Sequence, residues 1–341
     1  MRSFAVFLRV FVLKIHIFAP EIKSCMREYT KLPLTIPEQV ALLENRGLLI
    51  SNKSRAERLL ANISYYRLSA YMLPFKPDKH KNNEYFAKGT TWDDVYQLYV
   101  FDRKLRLLIF DAIERIEISI RAQLINRLSL KYGSHWYDDS TIFDVKKKRD
   151  KKTEILKTIN VYGDIQQHIK EQFEKSKSEM FIAHYKNNYD KPLNPPSWMA
   201  IEVMYFNQLS MICESLKNKN DRTGISYFYD LPDVVFCSWL HSINYVRNLC
   251  AHHSRLWNRS MSIVPAKLGF SKKLKWITNP ETVQRSKLYY IMCIIEYFLQ
   301  TVNPTSGFKK RLYDLLGEYS DLDCGYMGFP KGWETERLWK I

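Results

Sequence analysis

Glycine is scarce: 11 residues of 341. The nearest two, Gly325 and Gly328, stand three apart, so G-x-G occurs nowhere. Scarcity of this degree excludes the dinucleotide fingerprint and the phosphate loop, which need clustered glycines to bring backbone against phosphate. It also argues against a turn-dense β fold. The six cysteines (25, 213, 237, 250, 293 and 324) form no C-x-x-C, which excludes zinc-ribbon and thioredoxin-type spacing. Cys213, Cys237, Cys250 and Cys293 lie in apolar stretches and read as buried reduced thiols, as expected in a cytoplasm. No uninterrupted apolar run reaches the roughly 18 residues of a membrane span. Arg9 and Lys14 break the apolar character of residues 1–19. That tail reads either as an amphipathic membrane-contacting helix or as an over-extended start before Met26, and the second is favoured. No internal repeat and no run of strands is visible.

What is abundant is positive charge. Lys and Arg number 52 against 36 Asp and Glu, a net charge of +16. Such an excess favours a polyanionic partner, nucleic acid or an anionic membrane surface. Hydrophobic residues at 46% and charged residues at 26% are ordinary for a globular chain, so charge accompanies a real core.

Helix signals recur along the chain. Thr35–Glu38 and Ser54–Glu57 have capping-box spacing. The first predicts a helix stopped by Gly47, the second a helix running to Pro74. Thr91 precedes a helical seam over 92–131: Val95, Leu98, Phe101, Leu105, Leu108, Ala112, Ile116, Ile120, Leu124 and Leu128. Its polar side carries Asp102–Arg106, Asp111–Arg115 and Glu117–Arg121, each an acid four residues before a base. Residues 144–191 read as an exposed basic helical insertion without a strong apolar stripe, opening with Lys146, Lys147, Lys148 and Arg149. Further helices are expected near 197–216, from Asp233 to His253, near 283–301 and over 307–319, with a polar turn at 217–224. The fold class expected is all-α: a helical bundle over 89–320 with its insertion at 140–191, an N-terminal helical region over 30–88, and tails at 1–29 and 321–341.

The stretch from His241 to Arg255 carries the chemistry. At 100° per residue, Val235, Trp239, Val246, Leu249, Cys250 and His253 share an apolar side, which makes His253 a core histidine. His241, Asn244, Tyr245, Asn248, His252 and Arg255 form a polar stripe. Solvated faces carry Lys, Glu and Gln, whereas these are site-type residues, so a polar cleft and a plain surface both stay open. Asn248 and His252 are four apart, a spacing that allows a hydrogen bond, while Arg247 lies about 140° around the axis from His252.

RGLLI at 46–50, YYRLSAY at 65–71, FDRKLRLLIFDAIERIEISIR at 101–121, PPSWMAIE at 195–202 and VRNLCAHHSRLWNR at 246–259 stand in this order. Together they resemble the Abi-like family of bacterial abortive-infection proteins (AbiD/AbiF type), over roughly residues 30–320. Within VRNLCAHHSRLWNR, Arg247-Asn248 followed by His252 is similar to the signature of HEPN ribonucleases. Arg9 and His16 meet the Arg-to-His spacing as well.

The resemblance implies a HEPN-type helical core, phage defence and endoribonuclease activity needing no metal or other cofactor. It also implies a homodimer, since two Arg…His motifs face each other in such enzymes and this chain has one credible copy. RNA carries its own nucleophile, the 2′-OH. His252 would move the proton, as an imidazole can near neutral pH. Arg247 would stabilise the charge building on phosphorus, and Asn248 would orient the imidazole. His253 is either a second acid–base group or structural, the latter preferred. Glu114, Arg115 and Glu117 fall where the family often places a charged residue beside the cleft, with intrahelical ion pairs as the plainer reading. His241 and Tyr245 are further cleft candidates. Lys146–Arg149 and Arg255 are the expected RNA contacts. YYRLSAY offers rings for stacking on bases, although Tyr65, Leu68 and Met72 fit a core better. Two rivals remain: a catalytically silent RNA-binding regulator that senses infection, and a DNA-binding regulator using the 35–73 helices as a helix-turn-helix, weakened by their long connection.

Overall fold

The computed structural model of the chain describes residues 30–77, 84–149 and 156–341. The 1–29 tail with Arg9 and His16, and residues 150–152 of the basic run, lie outside them.

Thr35 opens α1 (Ile36–Asn45) through a full capping box, with Glu38 N–H donating to its hydroxyl (3.4 Å) and Thr35 N–H donating to Glu38 (2.7 Å). Gly47, at φ +88°, follows. The second start differs from expectation. Asn52 rather than Ser54 caps α2 (Lys53–Ile63), accepting from Arg55 N–H at 2.8 Å. Nor does one helix continue to Pro74. Ser64 adopts φ +68°, breaks the rod and starts α3 (Tyr65–Met72).

The long helix α4 (Trp92–Tyr132) has 41 residues and spans about 60 Å. A capping box between Thr91 and Asp94 opens it, and Gly133 at φ +91° closes it. Every seam residue from Val95 to Leu128 is buried. The polar side is narrower than expected. Only Asp111–Arg115 lies outside; Asp102, Arg106 and Glu117 are buried. They occupy a second three-and-four spacing with Leu98, Leu105, Ile109, Ile113 and Ile120, so α4 packs on more than one side.

The insertion is not purely helical. Lys146–Arg149 form strand β1, paired antiparallel with β2 (Leu156–Ile159). Next come α5 (Val161–Lys175) and α6 (Met180–Asn188). Contrary to the expectation of no strong apolar stripe, α5 buries Val161, Ile165, Ile169 and Phe173, each four residues from the next.

Then follow α7 (Ser197–Ala200) and α8 (Phe206–Ser215), expected as one helix. The break is made by α4: Arg121 donates to the carbonyls of Ile201 (3.3 Å) and Met204 (2.8 Å), which a continuous helix would have used internally. The expected polar turn is mostly helix, α9 (Lys219–Tyr227), because Asn218 caps it and buried Asp221 meets Lys131 and Tyr132. α10 (Asp233–Ala251), α11 (Leu288–Val302) and α12 (Phe308–Glu318) complete the set.

The fold is all-α around α4, with one small β ribbon. α3 and α12 pack on its N-terminal half, α7 to α9 on its C-terminal half, and α10 and α11 alongside. α11 is buried on every side from Leu288 to Leu299. The 321–341 segment is packed rather than loose, burying Met327, Phe329, Trp333, Leu338 and Trp339. Gly328 permits this at φ +88°, where a Cβ would lie 2.5 Å from the Cβ of Lys287. Cys213, Cys250 and Cys293 are buried, and Cys237 is half-buried. Among the described residues no helix is long and apolar enough to cross a membrane.

Candidate active site

α10 buries Phe236, Trp239, Leu240, Ile243, Val246 and Cys250, so its opposite side faces outward. The helix ends at Ala251, two residues before the expected end. His252 is its C-cap and His253 takes φ +55°, the left-handed conformation. His253 N–H donates to the carbonyl of Cys250 (3.0 Å) and Ser254 N–H to that of Leu249 (2.8 Å). These two bonds make a Schellman motif, in which the left-handed place usually belongs to glycine. The turn explains a correction: His253 is exposed, not part of the core, and His252 is exposed beside it.

Two elements, α4 and α3, fix this turn. Asp102 of α4 is fully buried and accepts from the N–H groups of Leu256 (3.1 Å) and Trp257 (2.7 Å), from the Tyr71 hydroxyl (2.6 Å) and from Arg106. Burial pushes the Asp102 carboxyl up, against the lowering pull of Arg106, Tyr71 and the two amides. From α3, Arg67 donates to the carbonyl of His253 at 2.7 Å. In return, Arg255 donates to the carbonyl of Ala70 at 3.3 Å.

Arg247 sits one turn earlier on α10 and is held loosely. Its guanidinium lies over the Phe110 ring (5.6 Å), 3.9 Å from Glu117 Oε2 and 3.4 Å from Asn248 Oδ1. Its Nε is buried without a hydrogen-bond partner among the described residues. Glu117 bonds Arg121 more closely, at 2.7 Å. Of the three charged candidates on α4, Glu117 therefore meets Arg247. Glu114 is exposed one turn from Phe110 on the same side, and Arg115 pairs outward with Asp111 at 3.4 Å.

Asn248 faces Arg247. Its link to His252 is through backbone, His252 N–H donating to the Asn248 carbonyl at 2.9 Å. Tyr245 donates to Ser262 at 3.5 Å; burial raises its pKa, but hydrogen bonds with Ser262 and Arg259 bring it below the usual phenol value. His241 stands apart. It lines a cavity of about 420 Å³ with Asp144, Glu214, Arg222 and Asp233, about 16 Å along the axis from His252. The β ribbon with Lys146, Lys147, Lys148 and Arg149 is rooted at that same end, where Asp144 N–H donates to the Ser215 carbonyl at 2.7 Å.

The sequence model of one family, described as Abi-like protein, matches residues 58–258, more than half of the chain. The chain belongs to the Abi-like family. The matched span of this Abi-like chain runs from α2 to just past the histidine turn, so it includes Arg67, Tyr71, Asp102, Arg247, His252 and Trp257. No curated protein and no solved structure matches the chain.

Sequence reasoning missed Asp102, Tyr71, Arg67 and Phe110. The available signal was Asp102 itself, set between Leu98 and Leu105 at helical spacing and therefore on an apolar face.

Proposed function

We propose that this Abi-like chain is a HEPN-type endoribonuclease of phage defence, acting in the cytoplasm as a homodimer. The observation that carries the reading is Arg247. It is a half-buried guanidinium with an unpartnered Nε and long, weak contacts, five residues before an exposed imidazole on a clamped turn. A guanidinium held this loosely exchanges Glu117 and Asn248 for a phosphate at little cost, and Phe110 keeps it in place while it does so.

The reaction needs two proton carriers. The 2′-oxygen attacks its own phosphorus as one imidazole takes its proton. The bond to the 5′-oxygen breaks, and a second imidazole protonates that oxygen. The products are a 2′,3′-cyclic phosphate and a 5′-hydroxyl. Two copies supply His252 twice, one as base and one as acid, and Arg247 twice for the charge on the phosphorane. By helical spacing Arg247 on α10 and His252 just past its end lie about 140° apart around the axis, so two copies would bring both groups into one cleft.

Total RNA incubated with the purified protein and a chelator should yield 2′,3′-cyclic ends. His252→Ala should reduce the rate at least about 100-fold. Cleavage by a folded His252→Ala protein would overturn the reading, and binding without cleavage by the native protein would favour the silent RNA-binding regulator. A mixture of native chains with excess His252→Ala chains tests the pairing. Activity per native chain is expected to fall, because each mixed dimer keeps only one of the two imidazoles.

A further inference from the structure

We propose that Tyr66 is a base-stacking platform, its ring receiving an unpaired nucleobase of single-stranded RNA drawn across the histidine turn. The inference rests on RNA being the ligand of that turn and names the part of the RNA that is held.

The YYRLSAY segment divides sharply. Leu68, Tyr71 and Met72 are buried, and Tyr65 is half-buried with its hydroxyl accepting from Arg46 at 2.8 Å. Tyr66 is 89% exposed and makes no ring contact among the described residues. Its backbone is nonetheless fixed. Arg67, the next residue, reaches the His253 carbonyl, and Arg255 returns to the Ala70 carbonyl, so α3 and the histidine turn are bolted together from both directions. Consecutive Cα atoms are about 3.8 Å apart. The Tyr66 backbone is thus one residue step from Arg67, whose side chain reaches the backbone that carries His252 and His253.

A rigidly mounted ring with two torsions loses little freedom on stacking, and stacking accepts any base. Each flanking guanidinium spends one of its five donors in these contacts and keeps others for phosphates. An exposed ring next to Arg67, and free donors on Arg67 and Arg255 at the turn that carries His252, fit a single strand laid across them. A duplex would hide its bases from the ring.

The test uses the His252→Ala protein, so that RNA is not consumed, and a single-stranded RNA oligonucleotide carrying one 2-aminopurine. Tyr66→Phe should keep both fluorescence quenching and affinity. Tyr66→Leu should lose the quenching and weaken binding roughly 5- to 150-fold, with thermal midpoints unchanged in both. Equal binding and quenching by the Phe and Leu variants would overturn the proposal. The nuclease reading fails separately: Tyr66-dependent quenching with no cleavage by the native protein keeps the platform and removes the enzyme, whereas cleavage and binding indifferent to Tyr66→Leu do the reverse.

Discussion

His253 is a residue whose backbone and side chain make different demands. Its left-handed conformation costs a non-glycine residue on the order of 1 kcal/mol. The hydrogen bonds at this position come from backbone groups, its N–H to Cys250 and its carbonyl from Arg67. His253→Gly should therefore raise the free energy of unfolding by up to about 1 kcal/mol in urea titrations while RNA cleavage persists. Loss of cleavage in that variant would instead make the His253 imidazole a chemical participant. His252 and Arg247 became candidates through the resemblance of Arg247-Asn248 and His252 to a known signature, while residue type alone left cleft and surface both open. Their surroundings were not legible, because the helix wheel extends a regularity that stops at Ala251. The partners of the turn, Arg67 and Asp102, lie more than 150 residues away in sequence, beyond any local pattern.

At the level of elements, Asp102 ties α3, α4 and the turn after α10 together. Asp102→Ala leaves Arg106 buried without its carboxylate and the amides of Leu256 and Trp257 without an acceptor. Breaking such a buried pair costs about 3–5 kcal/mol, whereas Arg115→Ala, removing an exposed pair, should cost under about 1 kcal/mol. Denaturant unfolding of the two variants compares them directly. The rod of α4 could be read in advance because its caps and its seam are local properties. The bends at Ser64 and at 201–205 could not, since the second is imposed by the Arg121 side chain reaching across from another helix. The lysine run failed for a different reason. KKKR has no hydrophobic period, so pairing with Leu156–Ile159 decides its conformation.

For the molecule as a whole, Glu296 sets a pH dependence. It lies buried in α11, 3.4 Å from Lys309. Burial pushes its carboxyl up to about 7 from the usual 4.5, against the pull of Lys309. The native state then binds the proton more tightly than the unfolded chain, so stability falls as pH rises between these values. Relative to Glu296→Gln, the native protein should lose on the order of 3 kcal/mol from pH 4.5 to pH 7. Urea titrations of both proteins across that range read the difference, and parallel curves would show that Glu296 does not titrate there. The reciprocal arginine contacts between α3 and the histidine turn also matter to anyone trimming this chain. A fragment begun at residue 89 discards Arg67 and Tyr71 but retains Asp102 and Arg106, stranding that pair in a freshly opened trench. Its seam would survive, yet both imidazoles would sit on a turn held by Asp102 without the Arg67 and Ala70 contacts of α3. Loss of the proposed cleavage in such a piece would report slack in the mounting rather than missing chemistry.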